Sequence, residues 1–124
     1  MPRSSAAYAR VGLETGVQSA DAHRLILMLF EGALVAIAQA KVAMGAGNLR
    51  VKGESVSKAI QIVEQGLKAS LDEKAGGELS AQLRALYVYI AERLLLASMR
   101  NEPDGLDQAA HLLEQLKHAW EAIR

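Results

Sequence analysis

His23-Arg24-Leu25-Ile26-Leu27-Met28-Leu29-Phe30-Glu31-Gly32-Ala33-Leu34-Val35 is the stretch that decides the fold. Leu25 to Phe30 are six apolar residues in succession, and at about 100° per residue on a helix they point in every direction. A surface helix with one apolar face does not read this way. The helix is either central in a bundle or carries a second apolar side that awaits a partner. On a helical wheel Arg24, Glu31 and Gln39 share one side, so the core face opposite is Ile26, Leu29, Phe30, Ala33, Ile37, Ala40 and Met44. Met28, Val35 and Val42 are left over at seven-residue spacing on the polar side, with Leu27 and Leu34 beside them.

Outward from this stretch the chain reads as helices and short breaks. Ser19 as N-cap and Asp21 in the first turn predict a first helix from Ala20 to Met44, stopped by Gly45-Ala46-Gly47-Asn48. A second helix is expected from Lys52 or Glu54 to Asp72, with Val56, Ala59, Ile60, Val63, Leu67 and Leu71 inward. Gly76-Gly77 breaks the chain before a third helix from Glu78 to Arg100, whose inward set is Leu79, Leu83, Leu86, Tyr87, Ile90, Leu94 and Ala97. Pro103-Asp104-Gly105 reads as a turn, followed by a fourth helix with Leu106, Ala109, Leu113, Leu116, Trp120 and Ile123 on one stripe. Four long helices on short loops predict an all-α, antiparallel up-down four-helix bundle over residues 19–124, preceded by a flexible N-terminal arm over residues 1–18. The later helices also have apolar residues to spare: Ile62 and Ala69 on the second, Val88, Tyr89, Leu95 and Leu96 on the third. Grooves between helices that accept an amphipathic or extended segment are the functional reading of this surplus; wider core packing is the alternative.

Composition excludes several function classes. Fourteen basic and fourteen acidic residues cancel, which offers no field for nucleic acid or anionic lipid. The sequence has no cysteine, so thiol chemistry and cysteine metal sites are out. No signal-peptide pattern opens the chain, and Glu31 and Gly32 end the apolar run well short of the ~20 residues of a membrane span. A cytoplasmic protein without cofactor, metal or membrane insertion is expected. His23, in the first turn of its helix, has a packing or solvated role, because positive charge is disfavoured there. His111 and His118 fall on the outer side of the last helix among Glu114, Lys117 and Glu121, a solvated face rather than a zinc site. No inward pair of Glu-x-x-His motifs exists for a di-iron bundle, and no Lys-Ser or Lys-Thr follows Gly76-Gly77 to complete a phosphate loop.

A set of short stretches then carries a resemblance along nearly the whole chain. They are Ala7-Tyr8-Ala9 with Val11, His23 to Leu34, Lys52-Gly53-Glu54, Ser57-Lys58-Ala59-Ile60 and Gly66-Leu67-Lys68. Ser70-Leu71-Asp72, Gly76-Gly77-Glu78, Leu86-Tyr87-Val88-Tyr89, Arg93-Leu94-Leu95 and Ala119-Trp120 complete it. In order and spacing this resembles the FliS family of flagellar export chaperones. Two departures stand out: Ala22 where the family usually has proline, and Ser98 where asparagine is common. The resemblance implies a non-enzymatic four-helix bundle that binds the C-terminal segment of flagellin, prevents its polymerisation in the cytoplasm and delivers it to the flagellar type III export apparatus. An export gate component, other flagellar regulators and a second copy of the free chain are further expected partners. The candidate groove is Leu27, Met28, Leu34, Val35, Val42, Ile62, Val88, Tyr89, Leu95 and Leu96, with Tyr8, Val11 and Leu13 as the N-terminal cover and docking element. Two rivals use the same fold. One is a histidine phosphotransfer bundle, in which His111 or His118 would accept phosphate, although neither is followed by the expected lysine-glycine pair. The other is a helical oligomer that buries the surplus on itself.

Overall fold

The computed structural model describes residues 18–123. Among these it contains four long helices and no strand: α1 (Gln18–Gly45), α2 (Leu49–Gln61, continued by Ile62–Leu67 and Lys68–Ser70), α3 (Glu73–Arg100) and α4 (Pro103–Ala122). The up-down bundle is as expected. Each helix packs on its two neighbours in the ring α1, α2, α3, α4, which leaves α1 diagonal to α3 and α2 diagonal to α4. Tyr8, Val11 and Leu13 lie outside the described residues.

Helix ends depart from the sequence reading for identifiable reasons. Helical geometry already includes Gln18, so Ser19 lies inside α1 instead of capping it. Asn48, read as part of a break, is the N-cap of α2: its side-chain oxygen accepts from the Val51 N–H at 3.1 Å, and α2 starts three to five residues earlier than expected. At its far end α2 widens into a π-helical turn over Ile62–Leu67, where the Lys68 N–H reaches back to the Val63 carbonyl. Gly66 in this turn presses on α1, since a Cβ there would stand 3.1 Å from Leu29 Cδ2.

Gly76-Gly77 does break the chain, but helical turns exist on both sides of it. Asp72 caps Glu73 to Gly76 by accepting from the Ala75 N–H at 3.0 Å, and Gly77 then takes φ 55°, ψ −128° before the helix resumes. A side chain at residue 77 would be strained, and a Cβ at Gly76 would collide with Ser80 Oγ at 1.8 Å. The reorientation carries Leu79, expected inward, out to solvent at 63% exposure. Pro103-Asp104-Gly105 is the first turn of α4, not a turn between helices, because proline at N1 lacks only an N–H that the helix could not use. The reversal falls one step earlier, at Asn101 in the left-handed region with φ 56°. Gly105 sits inside α4 against α3, where a Cβ would approach Ala97 Cβ to 2.6 Å.

The core runs the length of the bundle through Phe30, Ala33, Ile37 and Ala40 of α1, Val56, Val63 and Leu67 of α2, Ile90 and Leu94 of α3, and Leu106 and Leu113 of α4. These are the inward sets read from the helical period, except for Leu79 and Ile123, which are exposed. The α1/α4 seam is closed at both ends. Lys41 pairs with Asp107 at 2.8 Å at one end. At the other, the His23 ring stacks on Trp120 with centroids 4.9 Å apart; His23 Nε2–H donates to the Trp120 carbonyl at 2.7 Å, and Trp120 Nε1–H donates to the His23 carbonyl at 2.9 Å. His23 has the packing role expected of it.

Within Asp21–Gly45 an 18-residue stretch that crosses Glu31 and Gly32 reaches a mean hydropathy of 1.8, and by length and composition the helix meets the requirement of a membrane span. The expectation that those two residues disqualify it needs correcting. The same composition is what a core helix needs, and Phe30, Ala33, Ala36, Ile37, Ala40 and Ala43 are buried among the other helices.

Candidate functional site

Two apolar strips remain on the outside of the bundle. On α1, Met28, Val35 and Val42 repeat every seven residues and are all at least half exposed. Successive members shift by only about 20° around the helix, which keeps the three on one line facing away from the core. On α3, Tyr89, Leu95 and Leu96 are exposed and Val88 is half-buried beside them. Met99 extends this strip by a further turn at 72% exposure. The sequence reading missed Met99, although it follows Leu95 by the four residues that keep a side chain on one helical face.

The expected residues do not form one groove. Because α1 and α3 are diagonal, their outer faces look in opposite directions. Leu34 and Ile62 pack against the core and contribute only partial surface. Ile62 points between helices, its Cδ1 3.4 Å from where a Cβ on Gly32 would be. Leu27 is half-buried as well. Residues assigned to the surplus by angle alone thus divide into exposed strips and the edges of helix-helix seams.

One groove lies between α1 and α2 near their connecting loop. Its volume is about 720 Å³, and Ala38, Val42, Ala43 and Ala46 face Val51, Ser55, Glu54 and Lys58 across it. Small side chains on α1 leave the space; Val42 and Val51 give it an apolar wall, and Glu54 and Lys58 supply a charged rim. Such a trough suits an apolar side chain on a segment whose backbone or polar groups meet the rim. Leu49, in the first turn of α2 beside it, is 70% exposed. The start of α2 is fixed to α3 by Lys52, whose Nζ donates to the Ser98 carbonyl at 2.9 Å and to Asn101 Oδ1 at 3.1 Å. This cation also answers the negative end of the α3 dipole. Val42, Leu49 and Met99, each at least 70% exposed, therefore lie toward the same end of the bundle.

The electrostatics of these faces are plain. Tyr87, buried on the inner side of α3, has its phenol pushed up to about 12 by loss of solvation. His111 and His118 are exposed on α4, as the period predicted.

Comparison with known proteins agrees along the chain. A family model described as flagellar protein FliS matches residues 4–124. The chain is 44% identical over 117 residues to the flagellar secretion chaperone FliS of Salmonella typhimurium, spanning 94% of this chain and 87% of that protein. It is 40% identical over 116 residues to the flagellar secretion chaperone FliSB of Pseudomonas aeruginosa, spanning 94% and 91%. With FliS of Bacillus subtilis the identity is 30% over 107 residues, spanning 86% and 78%.

Proposed function

The chain belongs to the FliS family of flagellar secretion chaperones, and from that premise we propose that it binds the C-terminal segment of flagellin in the cytoplasm on the apolar strips of α1 and α3. Bound there, flagellin cannot use the same segment to polymerise, and it travels to the type III export apparatus as a complex. An export gate component and other flagellar regulators are the further partners of this reading, and no covalent chemistry enters it. The observation that carries it is the pair of exposed strips, Met28, Val35 and Val42 on one helix and Tyr89, Leu95, Leu96 and Met99 on the other. Contiguous exposed apolar side chains on a soluble bundle mark a binding surface, which suits a chaperone for a disordered segment.

Burial at about 25 cal/mol per Å² must first offset the ordering of the bound segment, so affinity depends on keeping both strips apolar. Val35→Asp and Leu95→Asp place a charge on each strip without entering the core. Each is expected to weaken binding of a C-terminal flagellin peptide at least tenfold in calorimetry, with the helical circular dichroism of the free protein unchanged. Unaltered affinity in both variants would refute the proposed surface. A self-associated species in light scattering that the peptide leaves intact would favour the helical oligomer instead.

A further inference from the structure

We propose that the reciprocal contact between His23 and Trp120 is a clasp that gates the last two turns of α4, so that its release lets residues 116–122 leave α1 while the rest of the bundle stays folded. The contact has three parts, a ring stack and two hydrogen bonds running in opposite directions between the two residues. Among the described residues it is the one polar link between α1 and α4 at this end, beside apolar contacts in which Ile26, Leu112, Leu116 and Trp120 pack on the core. Among the described residues the last fully buried one of α4 is Leu113 and the first buried one of α1 is Phe30. Between those points and the clasp, Ile26 and Leu116 are only partly buried. Among the described residues the one ion pair between α1 and α4, Lys41 with Asp107, lies at the opposite end of the seam, and Lys117 pairs within its own helix with Glu121.

Segments held by few buried apolar contacts open locally at a lower free energy than the whole domain. Here the pair adds a ring stack and two hydrogen bonds to the partial burial of Ile26 and Leu116. Because the Trp120 carbonyl can only accept, the His23 proton sits on Nε2 in the neutral ring, and loss of the ring removes both the stack and one hydrogen bond. Opening bares Ile26 and Leu116 next to Leu27, which enlarges the apolar surface along α1. The clasp is independent of the flagellin reading, since it concerns the free chain.

Amide hydrogen exchange on the full chain tests it. His23→Ala is expected to speed exchange at residues 117–122 about tenfold, while the amides of Ile90, Leu94, Leu106 and Leu113 keep their protection. Trp120 is the only tryptophan in the sequence, so iodide quenching of its fluorescence should rise in parallel. His23→Gln, whose amide N–H reaches the place of Nε2–H, is expected to restore part of the protection, and Trp120→Phe, which keeps a stack and loses one donor, to fall between wild type and His23→Ala. Equal acceleration at Leu94 and Leu113 would mean general destabilisation and overturn the clasp. Unchanged exchange at residues 117–122 in both His23→Ala and Trp120→Phe would overturn it as well.

Discussion

Tyr87 and Tyr89 stand two residues apart on α3, one 5% and the other 49% exposed. Their separation in environment follows from the helical period and was legible in the sequence, as were Phe30, Ile90, Leu94 and Leu113 as core. The buried phenol has a thermodynamic consequence. Tyr87 holds its proton up to about 12 in the folded chain and releases it near 10 when unfolded. The unfolded state therefore binds fewer protons above pH 10, and stability falls as pH rises from 10 through 12. In urea unfolding, wild type is expected to lose about 2 kcal/mol relative to Tyr87→Phe over that interval; parallel curves for the two proteins would show that the phenol is solvated. What could not be read residue by residue was the width of each seam. Leu34 and Ile62 fall outside the ideal core angle yet pack on the core, because neighbouring helices cover more of the circumference than a wheel assigns to them.

Helix existence and order were legible from periodicity, whereas helix ends were decided by single residues with more than one meaning. Asn48 can stop a helix or start one; the Val51 N–H it bonds decides for starting. Pro103 and Gly105 read together as a turn, but proline at the first helical position and glycine at a close helix crossing have separate causes. The π-turn at Ile62–Leu67 has no signal of its own in the sequence, since it reflects how Gly66 meets Leu29 on another helix. Two glycines of α2 and α3 make opposite predictions. Gly77→Ala should cost on the order of 1–3 kcal/mol, because φ 55° with ψ −128° is strained for any side chain. Gly53 lies within α2, and a Cβ there meets nothing within 4 Å, so Gly53→Ala should add about 0.5–1 kcal/mol. Thermal unfolding of both variants measures the two signs, and a loss in Gly53→Ala would contradict the helical placement of that residue.

At the scale of the molecule, short connections dictated antiparallel neighbours, and the ring of four helices follows. The diagonal relation of α1 and α3 was not available from any one helix; it emerges only when the ring closes, which is why the sequence pointed to grooves without assigning the helix pair and the structure shows two strips. On the proposed reading, that separation makes the bundle a bivalent receptor. Met28 to Val42 spans about 20 Å along its helix, and passing around the bundle from one strip to the other covers about 35 Å more, or roughly ten extended residues. A flagellin segment that lays a helix on each strip must then be on the order of 30 residues or longer. Once one half is seated, the second binds at a millimolar effective concentration set by the crossing piece. Separate peptides for the two halves should accordingly bind weakly, and the joined segment about 10²–10⁴-fold more tightly. Lengthening the crossing piece with glycine and serine should lower that gain gradually, so the affinity of the complex is adjustable through residues of flagellin that touch neither strip.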